Sequence, residues 1–247
     1  MANFVPLKQY MLYCLDRFVE RYGMSGPFLE IGCGAGDVSA HLAQRGWSGV
    51  AIDASDEAIA AATRRLQAWP GVAVRRQTLA TLAGEYPSIV MWDVLEHIDD
   101  DRRALARVAA LLRPGGHVLI AVPSHPVEWR WDDEFYGHYR RYTVANLTAK
   151  LVEAGLTPLE FRDFTFPAYW AMRRVYTRLK RPPAPVADRD AATRVSALRN
   201  AWDLPLLSSL LDRSAPLWRP FHAVQHRLFG AAHRGHEFFV LARRPVT

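Results

Sequence analysis

The sequence predicts an α/β fold with a doubly wound, mostly parallel seven-stranded sheet and a helical insert before the last strand. Two observations lead to this prediction. Short apolar segments alternate with segments whose apolar residues recur at helical spacing, which is typical of βαβ units. A glycine-rich turn, "GCGAG" at 32–36, directly follows the first apolar segment. Ligands of such folds bind at the carboxyl ends of the strands, where this turn is expected.

The individual elements follow from the same alternation. The predicted strands are 27–32, 48–55, 72–79, 88–95, 117–124, 156–166 and 236–246. The predicted helices between the early strands are 37–44, 58–69 and 100–112. Pro70 and Gly71 close the second of these helices, and the sequence "RPGG" closes the third.

The chain is predicted to form a single domain over 1–247. With 247 residues, half of them hydrophobic, it can bury one full core. Residues 1–24 are expected to be an N-terminal helical segment, and 167–235 a helical insert or cap between strands six and seven. Within this insert, "RPPAPVA" at 181–187 is typical of a stiff connector.

Charge is distributed unevenly along the chain. Residues 1–166 contain 17 Lys and Arg against 20 Asp and Glu, whereas residues 167–247 contain 14 against 5. A basic carboxyl-terminal part indicates either an anionic partner, such as a membrane surface, or an ordinary solvated surface rich in arginine.

The two cysteines, Cys14 and Cys33, allow at most one disulfide, which favours a reducing cytoplasm. The first residues lack a basic start followed by an apolar segment, so no secretory signal is expected. No run of about 18 apolar residues occurs, and no membrane-spanning segment is therefore predicted.

Two classes of ligand are compatible with a glycine turn after a first strand. A dinucleotide site would require the pattern G-x-G-x-x-G. Its last position falls on Asp37 when the pattern starts at Gly32, and on Ser39 when it starts at Gly34. The turn therefore disfavours a dehydrogenase.

The same turn resembles the first motif of the class I S-adenosylmethionine-dependent methyltransferases, an acidic residue followed by G-x-G-x-G. Here these are Glu30, Gly32, Gly34 and Gly36, and Asp53 matches the family's acidic residue at the end of the second strand. The resemblance continues through "WDVLEHIDD" and "LLRPGGHVLIAVPS" and covers about residues 25–160. It implies the Rossmann-like methyltransferase fold and S-adenosylmethionine as cofactor.

The resemblance also implies roles for individual residues. The Asp53 carboxylate is expected to accept hydrogen bonds from both ribose hydroxyls, and Glu30 to attract the ammonium group of the cofactor. Thr78 and Leu79 fall where the family brackets the adenine, although the acidic residue often found there is missing. The expected cofactor-binding residues are Glu30, Gly32, Gly34, Gly36, Asp53, Ala54, Thr78, Leu79 and Asp93.

Two missing motifs limit which atom of the acceptor is expected to receive the methyl group. The chain has "DVLEH" after the fourth strand where amide and adenine N-methylating members have N-P-P-Y or D-P-P-Y, and no cysteine is placed to attack a base carbon. Transfer to oxygen is therefore expected, with transfer to an amine as the alternative. No metal is expected, because "DDD" at 99–101 is typical of a negatively charged helix start.

The segment after the fifth strand is similar to a bacterial subgroup of these enzymes with the pattern V-P-S, then tryptophan, D-E-x-x-x-H-x-R-R-Y-T. Because this loop leaves the carboxyl end of the sheet, it is expected to cover the transferable methyl group. The expected acceptor-binding residues are Trp129, Trp131, Asp133, Tyr136, Arg140, Arg141 and Tyr142. The two arginines have a second interpretation, which is pairing with Asp132, Asp133 or Glu134 to hold the loop together.

His138 is the candidate general base, since the ordinary pKa of histidine lets the side chain accept a proton near neutrality. His97, at the end of the fourth strand, is the second candidate, and both histidines have a purely structural alternative. Two further pairs, His222 with His226 and His233 with His236, lack a third ligand at metal-binding spacing.

The sequence as a whole predicts a cytoplasmic, cation-independent O-methyltransferase. Its acceptor is expected to be a small molecule or lipid-like intermediate, with an anionic group as one expectation, and not a nucleic acid. The basic insert at 167–235 either caps the site, contacts a membrane or only packs. The alternatives are an N-methyltransferase for a small amine, a nucleotide-dependent oxidoreductase and a non-catalytic nucleotide-binding module.

Overall fold

The computed structural model describes residues 5–180, 188, 192–193 and 215–246. Its centre is a seven-stranded sheet with the strand order β3-β2-β1-β4-β5-β7-β6. The first five strands are parallel to one another, and β7 is antiparallel to both β5 and β6. The predicted fold class is therefore confirmed.

The strands are β1 Phe28–Ile31, β2 Gly49–Asp53, β3 Val72–Arg76, β4 Tyr86–Trp92, β5 Leu112–Pro123, β6 Thr157–Asp163 and β7 Glu237–Arg243. The helices are α1 Val5–Tyr22, α2 Asp37–Gln44, α3 Asp56–Leu66, α4 Asp101–Leu111, α5 Trp131–Tyr136, α6 Val144–Glu153, α7 Ala168–Leu179 and α8 Ala215–Phe229.

Side-chain caps explain where two of the helices begin. Ser55 precedes α3 and its hydroxyl accepts a hydrogen bond from the backbone N–H of Ala58, so the helix starts two residues before the predicted position. Asp100 caps α4 by accepting from the N–H of Arg103 at 2.9 Å. The acidic run at 99–101 therefore contributes a helix start, as expected.

The β5 strand begins earlier than the sequence predicted. Helix α4 ends at Leu111, and "RPGG" at 113–116 lies within β5. The first residue of β5, Leu112, pairs with Tyr86. The register then shifts, so that His117 pairs with Ser88. This irregularity absorbs the proline and the glycines at the start of the strand, because a bulge tolerates residues that a regular ladder does not.

Apolar residues cover both faces of the sheet. Phe28 and Leu29 are neighbours in β1 and point into two separate clusters, as the alternation of a strand requires. The first cluster includes side chains of α1, α2 and α3, and the second includes side chains of α4 and α6. Both residues are fully buried, so apolar side chains lie on both faces of β1, and Glu30 is the one polar residue of this strand.

Two helices, α7 and α8, form most of the described part of the predicted insert. The Tyr169 hydroxyl of α7 lies 3.0 Å from His222 Nε2 of α8, and Gln225 donates to the carbonyl of Phe164 at 3.1 Å. Residues 181–187, where a connector was predicted, lie outside the described residues. None of the helices in the described part of the chain has both the length and the apolar composition needed to cross a bilayer.

Candidate active site

A cavity of about 1240 Å³ lies at the carboxyl ends of β1, β2, β4 and β5. Residues of α1, α5 and α7 also line it. Most of the residues selected from the sequence line it: Glu30, Gly32, Gly34, Asp53, Ala54, Thr78, Leu79, Asp93, His97, Asp133, Tyr136, His138 and Arg141. The two ends of this cavity correspond to the cofactor half and the acceptor half of the prediction.

Glycines are required in the turn after β1 for two different reasons. Gly32 has φ +71°, and a Cβ atom there would lie 2.4 Å from a methyl carbon of Val94. Gly36 has φ +77°, and a Cβ atom there would lie 3.1 Å from Leu66 and 3.2 Å from Ala62, both in α3. Gly36 does not line the cavity, so its role is the close packing of α2 against α3.

Asp53 holds the turn and faces the cavity. Its Oδ2 accepts a hydrogen bond from the N–H of Gly34 at 3.0 Å, and its Oδ1 accepts from the N–H of Ser55 at 2.9 Å. The carboxylate is therefore fixed at the end of β2, and its remaining lone pairs can accept from the hydroxyls of a ribose.

Glu30 is more deeply placed than the sequence indicated. It is buried, and its Oε2 accepts from both the N–H and the hydroxyl of Ser39 at the start of α2. Burial raises the pKa of Glu30 to about 8. The carboxyl group therefore joins β1 to α2 and carries little charge at neutral pH, which reduces its expected attraction for an ammonium group.

Helix α1 contributes a cation that the sequence did not single out. Lys8 lines the cavity and forms an ion pair with Asp37 at the start of α2. Burial lowers the pKa of Lys8, and the nearby Asp37 opposes this effect. No local motif identifies Lys8, because α1 reaches the cavity only through tertiary packing.

His138 and Asp133 form the centre of the acceptor half. His138 Nδ1 lies 2.9 Å from Asp133 Oδ1, and Asp133 also pairs with Arg141 at 2.8 Å and with Arg173 at 2.9 Å. Burial alone would raise the pKa of Asp133, but the His138 hydrogen bond and the two arginines outweigh it and hold that pKa well below its usual range. An ionised carboxylate only accepts hydrogen bonds, so His138 donates from Nδ1 and leaves Nε2 as an acceptor.

His97 lies beside His138, with 4.8 Å between the ring centroids. Burial, together with the neighbouring His138, lowers the pKa of His97 to about 3. Its Nδ1 is 3.3 Å from the hydroxyl of Thr193. His97 therefore remains neutral at any physiological pH, and among the described residues no carboxylate is hydrogen-bonded to it as Asp133 is to His138.

One group of potential metal ligands occurs in the described part of the chain. Glu96, His97 and His138 each offer an atom, and these atoms all lie within 4.8 Å of one another. The pairs at 222 and 226 and at 233 and 236 form no such group with a third ligand among the described residues. Independence of a metal therefore remains a prediction.

Four of the residues expected to bind the acceptor lie outside the cavity. Trp131 donates to the carbonyl of Thr177 in α7 at 2.9 Å, and Trp129 donates to Glu134 at 3.2 Å. Tyr142 and Arg140 both bind Asp101 of α4 at 2.9 Å. The α5 helix places Asp132, Asp133 and Tyr136 on its cavity face, so Trp131 must point elsewhere.

Arg141 follows the second interpretation given above. It is buried, pairs with Asp133 and donates to the carbonyls of Ser124 and His236 at 2.9 Å each. It therefore links the loop to β5 and to the start of β7. Arg173 of α7 also holds the loop, through Asp132 and Asp133, and the sequence places this residue only within the basic insert at 167–235.

The fold and the site together define a class I S-adenosylmethionine-dependent methyltransferase. Residues 7–160 match the family model described as "Methyltransferase domain", which covers more than half of the chain. The chain therefore belongs to this family, and the resemblance found at 25–160 is confirmed.

Similar proteins include the ubiquinone biosynthesis O-methyltransferase of Pseudomonas aeruginosa strain LESB58, 34% identical over 127 residues, which cover 49% of this chain and 54% of that protein. The chain spans about half the length of the curated relatives it matches.

Two solved structures support the fold. A sarcosine dimethylglycine methyltransferase, described as putative, from Galdieria sulphuraria has a TM-score of 0.62 at 13% identity, over 96% of this chain and 86% of that one. The N-methyltransferase NodS from Bradyrhizobium japonicum WM9, in complex with S-adenosyl-L-homocysteine, has a TM-score of 0.53 at 24% identity, over 63% and 78%.

Proposed function

We propose that the protein transfers a methyl group from S-adenosylmethionine to an oxygen atom of a small-molecule or lipid-like acceptor. The observation that carries this proposal is His138, oriented by the buried carboxylate of Asp133 in the same cavity as the glycine turn and Asp53. The name of the Pseudomonas aeruginosa relative supports oxygen as the acceptor atom.

The residues present fit the cofactor. Asp53 would accept from the ribose, the turn at Gly32 and Gly34 would lie against the methionine part, and Thr78 with Leu79 would bracket the adenine. Lys8 provides a cation at the cavity wall, where a carboxylate of an amino acid would be attracted. When bound, the cofactor supplies a methyl group already activated on a positive sulfur.

The chain contributes orientation and proton removal. His138 would accept the hydroxyl proton of the acceptor at Nε2 as that oxygen is methylated. Asp133 holds the imidazole in the tautomer that leaves Nε2 free, and its negative charge stabilises the imidazolium that forms. Transfer to a small amine is the second candidate, and a neutral amine would also approach the methyl carbon beside His138.

We expect the purified protein to bind S-adenosylmethionine and S-adenosylhomocysteine but not NAD. Asp53→Ala should weaken S-adenosylhomocysteine binding by about 1.5–3 kcal/mol, the range for hydrogen bonds to a charged group. Titration calorimetry measures both results, and Asp56→Ala is the matched control because Asp56 is exposed and lies outside the cavity lining. Binding of NAD alone would contradict the proposed function, and unchanged affinity in Asp53→Ala would remove Asp53 from the site.

A peripheral membrane contact is a further part of the proposal. Exposed apolar side chains recur at helical spacing on α7 and α8: Met172, Val175, Leu179, Phe221, Val224 and Leu228. The same helices carry several arginines, and residues 167–235 contain 12 basic against 4 acidic residues. Apolar and cationic side chains together are typical of helices that lie on anionic lipid. A cytoplasmic location is proposed with it, supported by two buried free cysteines.

Vesicle binding tests this contact. We expect the protein to sediment with phosphatidylcholine vesicles that contain phosphatidylglycerol, less with pure phosphatidylcholine, and progressively less as salt rises above about 0.15 M, where charges are screened beyond about 8 Å. Leu179→Glu, at the most exposed of these positions, should reduce sedimentation, and Val127→Glu is the control at an exposed apolar residue outside these helices. Equal sedimentation of both variants, or no dependence on salt or lipid charge, would return α7 and α8 to a packing role.

A further inference from the structure

Three carboxyl groups lie close together in the wall of the cavity. Asp93, which the sequence had assigned to the cofactor, follows β4, Glu96 lies in the short turn after it, and Glu237 begins β7. All three line the cavity. The sequence separates Glu237 from the other two, and the antiparallel pairing of β7 with β5 brings it beside them, opposite Pro123.

Glu96 is completely buried, yet neither of its carboxyl oxygens has a hydrogen-bond partner among the described residues. The Oδ1 atom of Asp93 is also buried without such a partner, and Asp93 has φ +52°, a backbone conformation that few residues other than glycine adopt. Buried polar groups normally find partners, so unpartnered acceptors in a cavity wall indicate a ligand that donates.

The nearby cations do not satisfy these carboxyl groups. Arg141 is engaged by Asp133 and two backbone carbonyls, and Arg173 by Asp132, Asp133 and the carbonyl of Glu128. Glu237 has His236 at 3.7 Å. Both buried arginines are therefore paired with acids on α5, and this part of the wall retains an excess of acidic groups.

The acidic groups also oppose one another. Burial, with a contribution from Glu237, raises the pKa of Glu96 to about 8. Burial raises the pKa values of Asp93 and Glu237 well above the usual range, and each is raised further by a neighbouring carboxylate, Glu96 for Asp93 and Asp93 for Glu237. A positive charge placed among them would favour their ionised forms, which only accept hydrogen bonds, whereas an anion would oppose their ionisation.

We propose that Glu96, supported by Asp93 and Glu237, binds a hydrogen-bond-donating group of the acceptor, so that the acceptor is neutral or cationic at this end and not anionic. This inference rests on the proposed function, because it takes the cavity as the acceptor site. It replaces the expectation of an anionic acceptor that the basic composition of the insert had suggested.

The spacing makes Glu96 a determinant of specificity for the reacting molecule itself. A Glu96 oxygen and a His138 nitrogen lie within 4.8 Å of each other. One small molecule can therefore contact Glu96 through a donor and present a nearby oxygen to His138 at the same time. An acceptor without that donor would leave the Glu96 carboxyl unpaired, which is the arrangement that discriminates most strongly between similar ligands.

Three probes of equal size test the proposal: benzylamine, benzyl alcohol and benzoate, which are cationic, neutral and anionic at neutral pH. Binding to the full chain is measured by ligand-observed NMR, with and without S-adenosylhomocysteine, in buffer containing a chelator. We expect benzylamine and benzyl alcohol to bind at least about tenfold more tightly than benzoate, as hydrogen bonds to a charged or buried carboxyl predict. Glu96→Gln should weaken benzylamine by a similar factor and reduce the difference, and Asp93→Asn should act in the same direction.

Glu153→Gln is the matched control, since Glu153 is exposed on α6 and pairs only with a surface arginine in the described part of the chain. The proposal would be overturned if benzoate bound as tightly as benzylamine, or if all three probes bound equally or none bound. It would also be overturned if Glu96→Gln had no effect. Binding that appears only after Zn²⁺ or Mg²⁺ is added would also overturn it, because Glu96 would then be a metal ligand. Failure of S-adenosylhomocysteine to bind would instead contradict the proposed function, and the probe comparison without that ligand keeps the two results separate.

Discussion

His138→Ala should lower turnover by about two orders of magnitude, the usual contribution of a positioned general base. Cofactor affinity should remain within about threefold, because His138 belongs to the acceptor half of the cavity. Turnover is measured by transfer of labelled methyl to a product identified in an extract of the host.

His97→Ala is the matched comparison. Because burial and the neighbouring His138 lower the pKa of His97 to about 3, its imidazole is neutral throughout the assay range and cannot cause a loss of activity near neutrality. The variant should therefore be milder than His138→Ala. If His97→Ala is the more damaging change, the base lies after β4. If neither variant loses activity, the acceptor arrives already ionised and needs no protein base, which would also count against the donor-binding role of Glu96.

Arg173→Met should destabilise the folded protein by about 3–5 kcal/mol, the cost of leaving buried acids without their cation. The guanidinium is only 4% exposed and pairs with Asp132 and Asp133 at 2.6 and 2.9 Å. Methionine fills a similar volume, so the loss reports the charge and the hydrogen bonds. Urea unfolding followed by circular dichroism gives the free energy of unfolding.

Arg174→Met provides the control one position further along α7. Arg174 pairs with Glu128 but is about one third exposed, so its replacement should cost about 1 kcal/mol or less. A loss in Arg173→Met no larger than in Arg174→Met would mean that the acids on α5 do not depend on α7. Because the pKa of Asp133 is depressed, its contribution to stability is present above the ordinary carboxylate range and disappears only as the pH falls well below it.

The fold was predictable because its signals are local. Each βα unit carries its own apolar strand, turn and helix, and the cofactor half of the site follows from a contiguous motif, with Gly34 and Asp53 only 19 residues apart. The observed start of a helix differs from the predicted one where a side chain caps it, as Ser55 caps α3. Local signals of this kind can be recognised in the sequence without knowledge of tertiary contacts.

The acceptor half depends on contacts that sequence order conceals. Arg173 meets Asp133 across 40 residues, and Glu237 enters only because β7 lies between β5 and β6. The aromatic residues of the loop were expected to bind the acceptor, but the short α5 helix directs Asp132 and Asp133 toward the cavity and Trp131 toward α7. Aromatic character predicts burial and does not predict which side of a helix is buried.

The position of β7 has a consequence for how the molecule is made. During synthesis β6 leaves the ribosome about seventy residues ahead of its sheet neighbour β7, and β5 also waits for that strand. Until β7 arrives, two backbone edges have no partner, and such edges promote association between chains. Glu237, which begins β7, completes the acidic wall at the same moment. The nascent chain is therefore expected to cover these edges and to complete the acidic wall in the same step.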